Sequence, residues 1–345
     1  LYTSHTRDQT GTGWPPPPTP TGMRVPTFDK GVLGSIDEAI YIGIEADIPV
    51  HLSHLQVTLP WSQLTGPQMA EKILEKIENA RQGPHAIDIT GCIHTYNRGW
   101  GPLNYRLPQK YKEMNGIKEE YKSGPGRVEV TQATEEVFKY VSADKTLICS
   151  YEANPAYNLK NLIEVSHFPE NEGKTPAECF LDILALDPVV PAPFAYTDEI
   201  SEDVKDDIIP GNHIFMSSDG LASSEDRETP IVHPRSFNNV TRVLTEYVGP
   251  GLMDLPLAIR KMTSLPADKF KLQARGRIEE GYFADIVVIN RKNLGSKATW
   301  AHENIYSEGV EYALVNGVLA IDYGKATDQR AGKILRMSEG KVIGS

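Results

Sequence analysis

The sequence predicts an α/β fold, with short parallel strands alternating with helices and a small β domain at the C-terminal end. Three observations carry this expectation. First, three short apolar runs close on a metal-capable or acidic side chain: Leu1-Tyr2-Thr3-Ser4-His5, Ile48-Pro49-Val50-His51-Leu52-Ser53-His54 and Ile214-Phe215-Met216-Ser217-Ser218-Asp219. Runs of this kind read as buried strands. Second, apolar positions between them fall at helical spacing. Third, from about residue 268 the texture changes to short strands punctuated by turn residues.

Taken in order, the first strand leads into a proline-rich insertion over 11–30 that contains Pro15 to Pro18. Four consecutive prolines favour an extended polyproline segment, read as a stiff surface excursion; a ligand for a proline-reading partner is the other reading. Residues 32–47 read as a helix, 48–54 as a strand, and 67–82 as an amphipathic helix with Pro67 at its first position. His85 to Cys92 reads as a third strand. The stretch 97–210 is irregular, with helical candidates at 108–122, 133–141 and 175–186. A strand at 213–218 and a polar loop at 221–230 precede helices at 236–248 and 254–264. Short strands follow around Ile286–Ile289, Tyr312–Val315 and Gly317–Ile321, with turns at Asn316-Gly317 and Tyr323-Gly324-Lys325. The expected domains are therefore 1–267 and a β-sandwich-like 268–345.

With 345 residues, 40% of them hydrophobic, the chain can bury a sizeable core. A formal charge of -11 argues against nucleic acid, whose phosphates select basic faces, and against an anionic membrane surface. No apolar stretch approaches the roughly 20 residues that span a bilayer. Cys92, Cys149 and Cys179 lack CxxC spacing and read as reduced thiols, which favours a cytoplasmic home. Asn239-Val240-Thr241 is a lone glycosylation sequon.

Only four strand–helix units precede the β domain, whereas a closed (β/α)₈ barrel needs eight. Four strands alone leave two open edges and a split core. The chain is therefore expected to be the second half of a barrel. The first half would lie on a second polypeptide or on a portion outside this sequence.

Several segments then resemble one family. They are Tyr2-Thr3-Ser4-His5-Thr6-Arg7-Asp8, Pro49-Val50-His51-Leu52-Ser53-His54, Ser218-Asp219-Gly220, His233-Pro234-Arg235, Ala258-Ile259-Arg260-Lys261-Met262-Thr263-Ser264-Leu265-Pro266-Ala267 and Gly281-Tyr282-Phe283-Ala284-Asp285-Ile286-Val287-Val288. In this order they are similar to the N-acyl-D-amino-acid deacylase (D-aminoacylase) branch of the amidohydrolase superfamily. The resemblance implies the C-terminal half of a TIM-like (β/α)₈ amidohydrolase barrel, strands five to eight, plus the small β domain. It implies one or two zinc ions, with His5 and His54 as ligands at the ends of strands five and six, and Asp219 as a further ligand and the catalytic general acid/base. Arg235 would meet the substrate carboxylate. The family's His-x-His or His-x-Asp pair and bridging cysteine belong to the other half, so a second chain is expected to supply the remaining ligands.

The residues allow competing readings. His51 rivals His54 within its strand, but alternation puts the two on opposite faces, with His54 on the face of Val50 and Leu52. Asp219 before glycine is also a turn pattern, Arg235 could be an exposed surface residue, and His233 could be structural. Cys92 and His94 have ligand-capable Cys-x-His spacing, and Gln56 stands where the family often has lysine. Arg260 and Lys261 read as a solvated helix face. The function expected is zinc-dependent hydrolysis of a non-peptide C–N bond, with N-acyl-D-amino acids as the small-molecule amide substrates. The alternatives are a cyclic amide or imide hydrolase resembling the hydantoinases, or a non-catalytic barrel-half subunit.

Overall fold

The computed structural model describes residues 1–5, 28–29, 31–57, 64–112, 116–139, 142–185, 194–197, 201–222, 232–338 and 341–344. The proline-rich insertion 11–30 and the 221–230 loop fall almost wholly outside them. Two compact units emerge: Leu1–Thr95 with Ser201–Arg227 and Pro234–Ser345, and Tyr96–Ile200 with Glu228–His233. The division differs from the expected boundary at 267/268, because the middle of the chain builds a sheet and core of its own.

In the first unit, β1 (Tyr2–His5), α1 (Val32–Ala46), β2 (Val50–Ser53), α2 (Gly66–Gln82) and β3 (Ile89–Ile93) alternate as the apolar spacing predicts. The strands form one parallel sheet in the order β1-β2-β3-β7, where β7 is Ile214–Met216 and follows α6 (Glu202–Ile208). Strands β4 (Gly99–Pro102), β5 (Thr146–Ser150) and β6 (Phe194–Thr197) and helices α3 (Gly124–Phe138), α4 (Leu162–Ser166) and α5 (Pro176–Ala185) belong to the second unit. The ladder aligns Tyr2 with Val50, Val50 with Ile89, and Gly91 with Ile214.

Val50 and Leu52 enter a core with Ile36 and Ala39 of α1 and Met69, Ile73 and Ile77 of α2. Each fully buried Leu or Ile contributes about 1.5–3 kcal/mol by leaving water. A capping box starts α2: the Thr65 hydroxyl accepts from Gln68 N, and the Gln68 side chain accepts from Thr65 N. The third strand begins later than expected because residues 84–88 lead out of α2, with Ile87 N donating to Ala80 O at 3.0 Å.

After β7 come α7 (Arg235–Arg242), which runs into a π-helical turn at Val243–Val248, then α8 (Leu255–Met262) and α9 (Ser264–Lys269). Lys261 corrects the sequence reading, for its side chain is wholly buried. Its long stem lets the ammonium cross the core while the methylenes stay packed. Nζ donates to Ile214 O at 2.6 Å and to Gly211 O. Burial, then the charge of Arg260, pushes its pKa down to about 7. Arg260 itself is exposed and donates to Asn212 O at 3.1 Å.

The C-terminal stretch forms one antiparallel sheet, β11-β10-β9-β8, from β8 (Ile286–Ile289), β9 (Val310–Val315), β10 (Val318–Asp322) and β11 (Lys325–Ala326). Asn316 and Gly317 turn the β9–β10 hairpin with φ of 53° and 79°, the left-handed pair that a tight hairpin needs. A separate hairpin joins β12 (Leu335–Ser338) to β13 (Lys341–Gly344). A second layer over the four-stranded sheet is not seen among the described residues. Only Ala313 of its strands is buried, while Val287 is 60% exposed.

The second unit contains the antiparallel sheet β4-β6-β5 and helices α3, α4 and α5, around Leu103, Ile148, Leu162, Phe180 and Leu181. The helix expected at 108–122 is replaced by short 3₁₀ turns at Gln109–Tyr111 and Glu119–Tyr121. The helix expected at 133–141 starts at Gly124, with Pro125 in its first turn.

Candidate active site

Because the four strands run parallel, their C-terminal ends share one edge of the sheet. Each delivers a polar side chain there: His5 ends β1, His54 follows β2, His94 follows β3, and Asp219 stands three residues beyond β7. Catalytic groups collect at this end of parallel strands.

The rings of His5 and His54 lie 4.1 Å apart, centroid to centroid, with planes at 81°. The alternation that was expected to place His54 beside Val50 and Leu52 does not apply, since those residues pack into the helix-covered core. His54 has φ of 29°, a left-handed conformation that breaks the strand pattern. The turn is held from β3, where Cys92 Sγ accepts from His54 N at 3.2 Å and Cys92 O from Leu55 N at 2.7 Å. Burial, then the neighbouring His5, lowers the His54 pKa. The imidazole is thereby kept neutral, the form that binds metal.

His51 is a satisfied core residue. Its ring stacks on Phe215 at 4.5 Å, its Nδ1 lies 2.9 Å from Thr90 Oγ1, and burial lowers its pKa to about 4.

Asp219 is also left-handed, with φ of 46°. Gly220 lets the chain pass closely over the start of α7, because a Cβ there would meet Ser236 Cα at 2.7 Å. Leu221 N then donates to Ser236 Oγ at 3.1 Å. Arg235, the first residue of α7, is buried rather than on the surface, and its Nη2 lies 2.6 Å from Asp219 Oδ2. Its Nη1 lies 3.0 Å from His94 Nε2, and Gln56 Nε2 lies 2.5 Å from the same ring nitrogen.

One turn along α7, Asn239 accepts from Thr95 N at 2.9 Å and from Thr95 Oγ1 at 3.1 Å, and donates to Ser217 O at 3.0 Å. It thus ties the ends of β3 and β7 together. The sequon asparagine is buried with its amide nitrogen engaged.

Among the described residues, no three His, Cys, Asp or Glu side chains converge where one metal ion could be held. The expected set His5, His54 and Asp219 resolves into an imidazole pair and a carboxylate drawn to Arg235. Cys92 is held protonated chiefly by burial, which raises its pKa, and His94 faces Arg235 and Gln56. The Cys-x-His pair therefore points to different tasks. His94 was legible as a strand-end histidine, like His5 and His54, but its partner lies 141 residues away. In the second unit, His233 Nε2 lies 3.0 Å from Arg98 O, a structural contact. No disulfide joins the three buried cysteines, and no helix among the described residues is long and apolar enough to cross a membrane.

Residues 217–321, which begin at the Ser217-Ser218-Asp219 strand end, match the Amidohydrolase family. Over that stretch and beyond it, the chain is similar to the D-aminoacylases. It is 38% identical over 123 residues to the N-acyl-D-glutamate deacylase of Alcaligenes xylosoxydans xylosoxydans, a match covering 35% of this chain and 24% of that protein. The crystal structure of D-aminoacylase superposes with a TM-score of 0.65 at 25% identity, covering 87% of this chain and 52% of the other. The N-acyl-D-glutamate deacylase of Bordetella bronchiseptica, solved with zinc and a phosphonate mimic of the tetrahedral intermediate, gives 0.65 at 23% identity. That match covers 93% of this chain and 52% of the other. The chain thus spans about a quarter of the curated relative and about half of the solved structures.

Proposed function

We propose that the chain is the C-terminal part of a zinc-dependent hydrolase of non-peptide C–N bonds, with N-acyl-D-amino acids as its substrate class. One observation carries the reading. Two imidazoles in contact, a carboxylate and a guanidinium stand at one edge of a parallel sheet. The nitrogen donors fit zinc, which His5 and His54 would hold as two of the three protein ligands of a catalytic site. The remaining ligands come from the other half of a (β/α)₈ barrel, on a preceding segment or on a second polypeptide. The bare outer edges of β1 and β7 among the described residues, and the uncovered C-terminal sheet, support such a complement.

When bound by His5 and His54, zinc would supply Lewis-acid chemistry that makes water a nucleophile near neutral pH. Asp219 accepts the proton of the attacking water and returns it to the departing nitrogen. Arg235 meets the substrate carboxylate with its paired N–H groups. A cyclic amide is the second reading, favoured by the neutral Gln56 beside His94, which adds no cation to attract a carboxylate.

Native mass spectrometry without chelator tests the proposal, followed by a panel of N-acetyl-D-amino acids and cyclic amides. Zinc in a complex of this chain with its complement, and turnover of the acyl-amino acids, are expected. A metal-free species at 38.2 kDa that turns over nothing removes the enzyme reading.

A further inference from the structure

We propose that His94 is a positioning residue that anchors Arg235 independently of Asp219, so that the guanidinium keeps its place when the carboxylate turns to the reaction. The proposal rests on Arg235 as the carboxylate-binding group. Arginine is only ever a donor, so the 3.0 Å contact of Nη1 makes His94 Nε2 an acceptor. The Gln56 amide nitrogen, 2.5 Å from the same atom, must also donate, which fixes which way that amide faces. With Nε2 carrying the lone pair, the proton of the neutral ring is on Nδ1.

The imidazole is buried at 1% exposure, so its orientation is set by packing as well as by these two donors. A guanidinium is planar, and two anchors at opposite ends fix its plane. Here Nη1 rests on His94 and Nη2 on the Asp219 carboxylate. Asp219 cannot be a constant anchor if it also exchanges protons with water and the leaving nitrogen. His94 takes no part in those exchanges, and the two side chains sit beyond different strands, β3 and β7. The arrangement also separates His94 from metal binding, since its Nε2 is committed to two donors.

The test uses the complete enzyme, this chain with its complement, carrying His94→Leu, His94→Gln or Gln56→Leu. The probes are N-acetyl-D-amino acids and their carboxamides. In His94→Leu, KM for the acids should rise about tenfold, as for one lost hydrogen bond to a charged group. Its kcat should stay within about threefold, and the carboxamides should be unaffected. His94→Gln, whose Oε1 can accept near the Nε2 position, should recover most of the loss, and Gln56→Leu should fall between. Zinc content should stay unchanged in all three, and nitrogen NMR of labelled histidine should find His94 protonated on Nδ1. Loss of zinc in both His94 variants, an equal effect on acids and carboxamides, or a proton on Nε2 would each overturn the assignment. If the unaltered enzyme turns over no acyl-amino acid, the deacylase reading fails by itself. The NMR and zinc measurements then still decide the anchor.

Discussion

Lys261→Met should abolish a pH dependence of stability that the folded chain otherwise carries. The ammonium is wholly buried and its pKa is lowered from 10.5 to about 7, by desolvation first and Arg260 second. Between those values the unfolded chain holds a proton that the folded chain has released. Proton uptake therefore favours unfolding, and stability rises with pH across the window and is lowest below about 7. The full window is worth up to about 1.4 kcal/mol per pH unit. With the folded group half protonated near pH 7, the gain between pH 7 and pH 9 is about 2 kcal/mol. Methionine matches the stem and carries no charge, so its stability should stay flat over that range apart from shared contributions. Lys269, also lowered chiefly by burial, titrates in both proteins and cancels in the difference. Urea denaturation of the two proteins at pH 7, 8 and 9 measures this directly. Parallel stability curves would refute the reasoning, because they would mean the buried amine stays charged on its two carbonyls throughout.

Other outcomes follow from the same geometry. In the complete enzyme, His5→Ala or His54→Ala should abolish zinc retention measured by elemental mass spectrometry, whereas Asp219→Asn should retain zinc and lose turnover; full activity in any of them removes the site assignment. Gly91→Ala drives a Cβ to 2.5 Å from Leu55 Cδ1 and 3.0 Å from Ile214 Cδ1. It should cost about 1–3 kcal/mol by overpacking, read as a lower urea midpoint. Thr65→Ala removes the α2 capping box and should cost about 1 kcal/mol, with Thr65→Ser largely neutral in thermal denaturation.

Much of the fold was legible because its signals are local. Helix α2 shows its stripe and its proline start, β2 is an apolar run, and Asn316-Gly317 marks a hairpin. Strand β4 of the second unit escaped because Gly99-Trp100-Gly101-Pro102 carries no strand signature; it is held by its pairing with β6. At the site, the strand-end positions of His5, His54 and Asp219 could be read from where each run stops. The turn at His54 could not, because Cys92, 38 residues away, imposes it. The task of His94 depends on Arg235, and the burial of Lys261 on the carbonyls of Gly211 and Ile214, contacts that no single-chain periodicity encodes.

The two left-handed residues at the strand ends bear on any attempt to harden this protein. His54 and Asp219 occupy backbone that glycine takes freely and that costs other side chains of order 1 kcal/mol. A library selected for heat endurance alone would therefore drift to glycine at His54 and end as a sturdier, inert scaffold, whereas Asp219 is kept by its ion pair with the buried Arg235. A library selected for turnover would keep the tension and seek its gains elsewhere, in helix starts such as Thr65 or in the thinly covered C-terminal sheet.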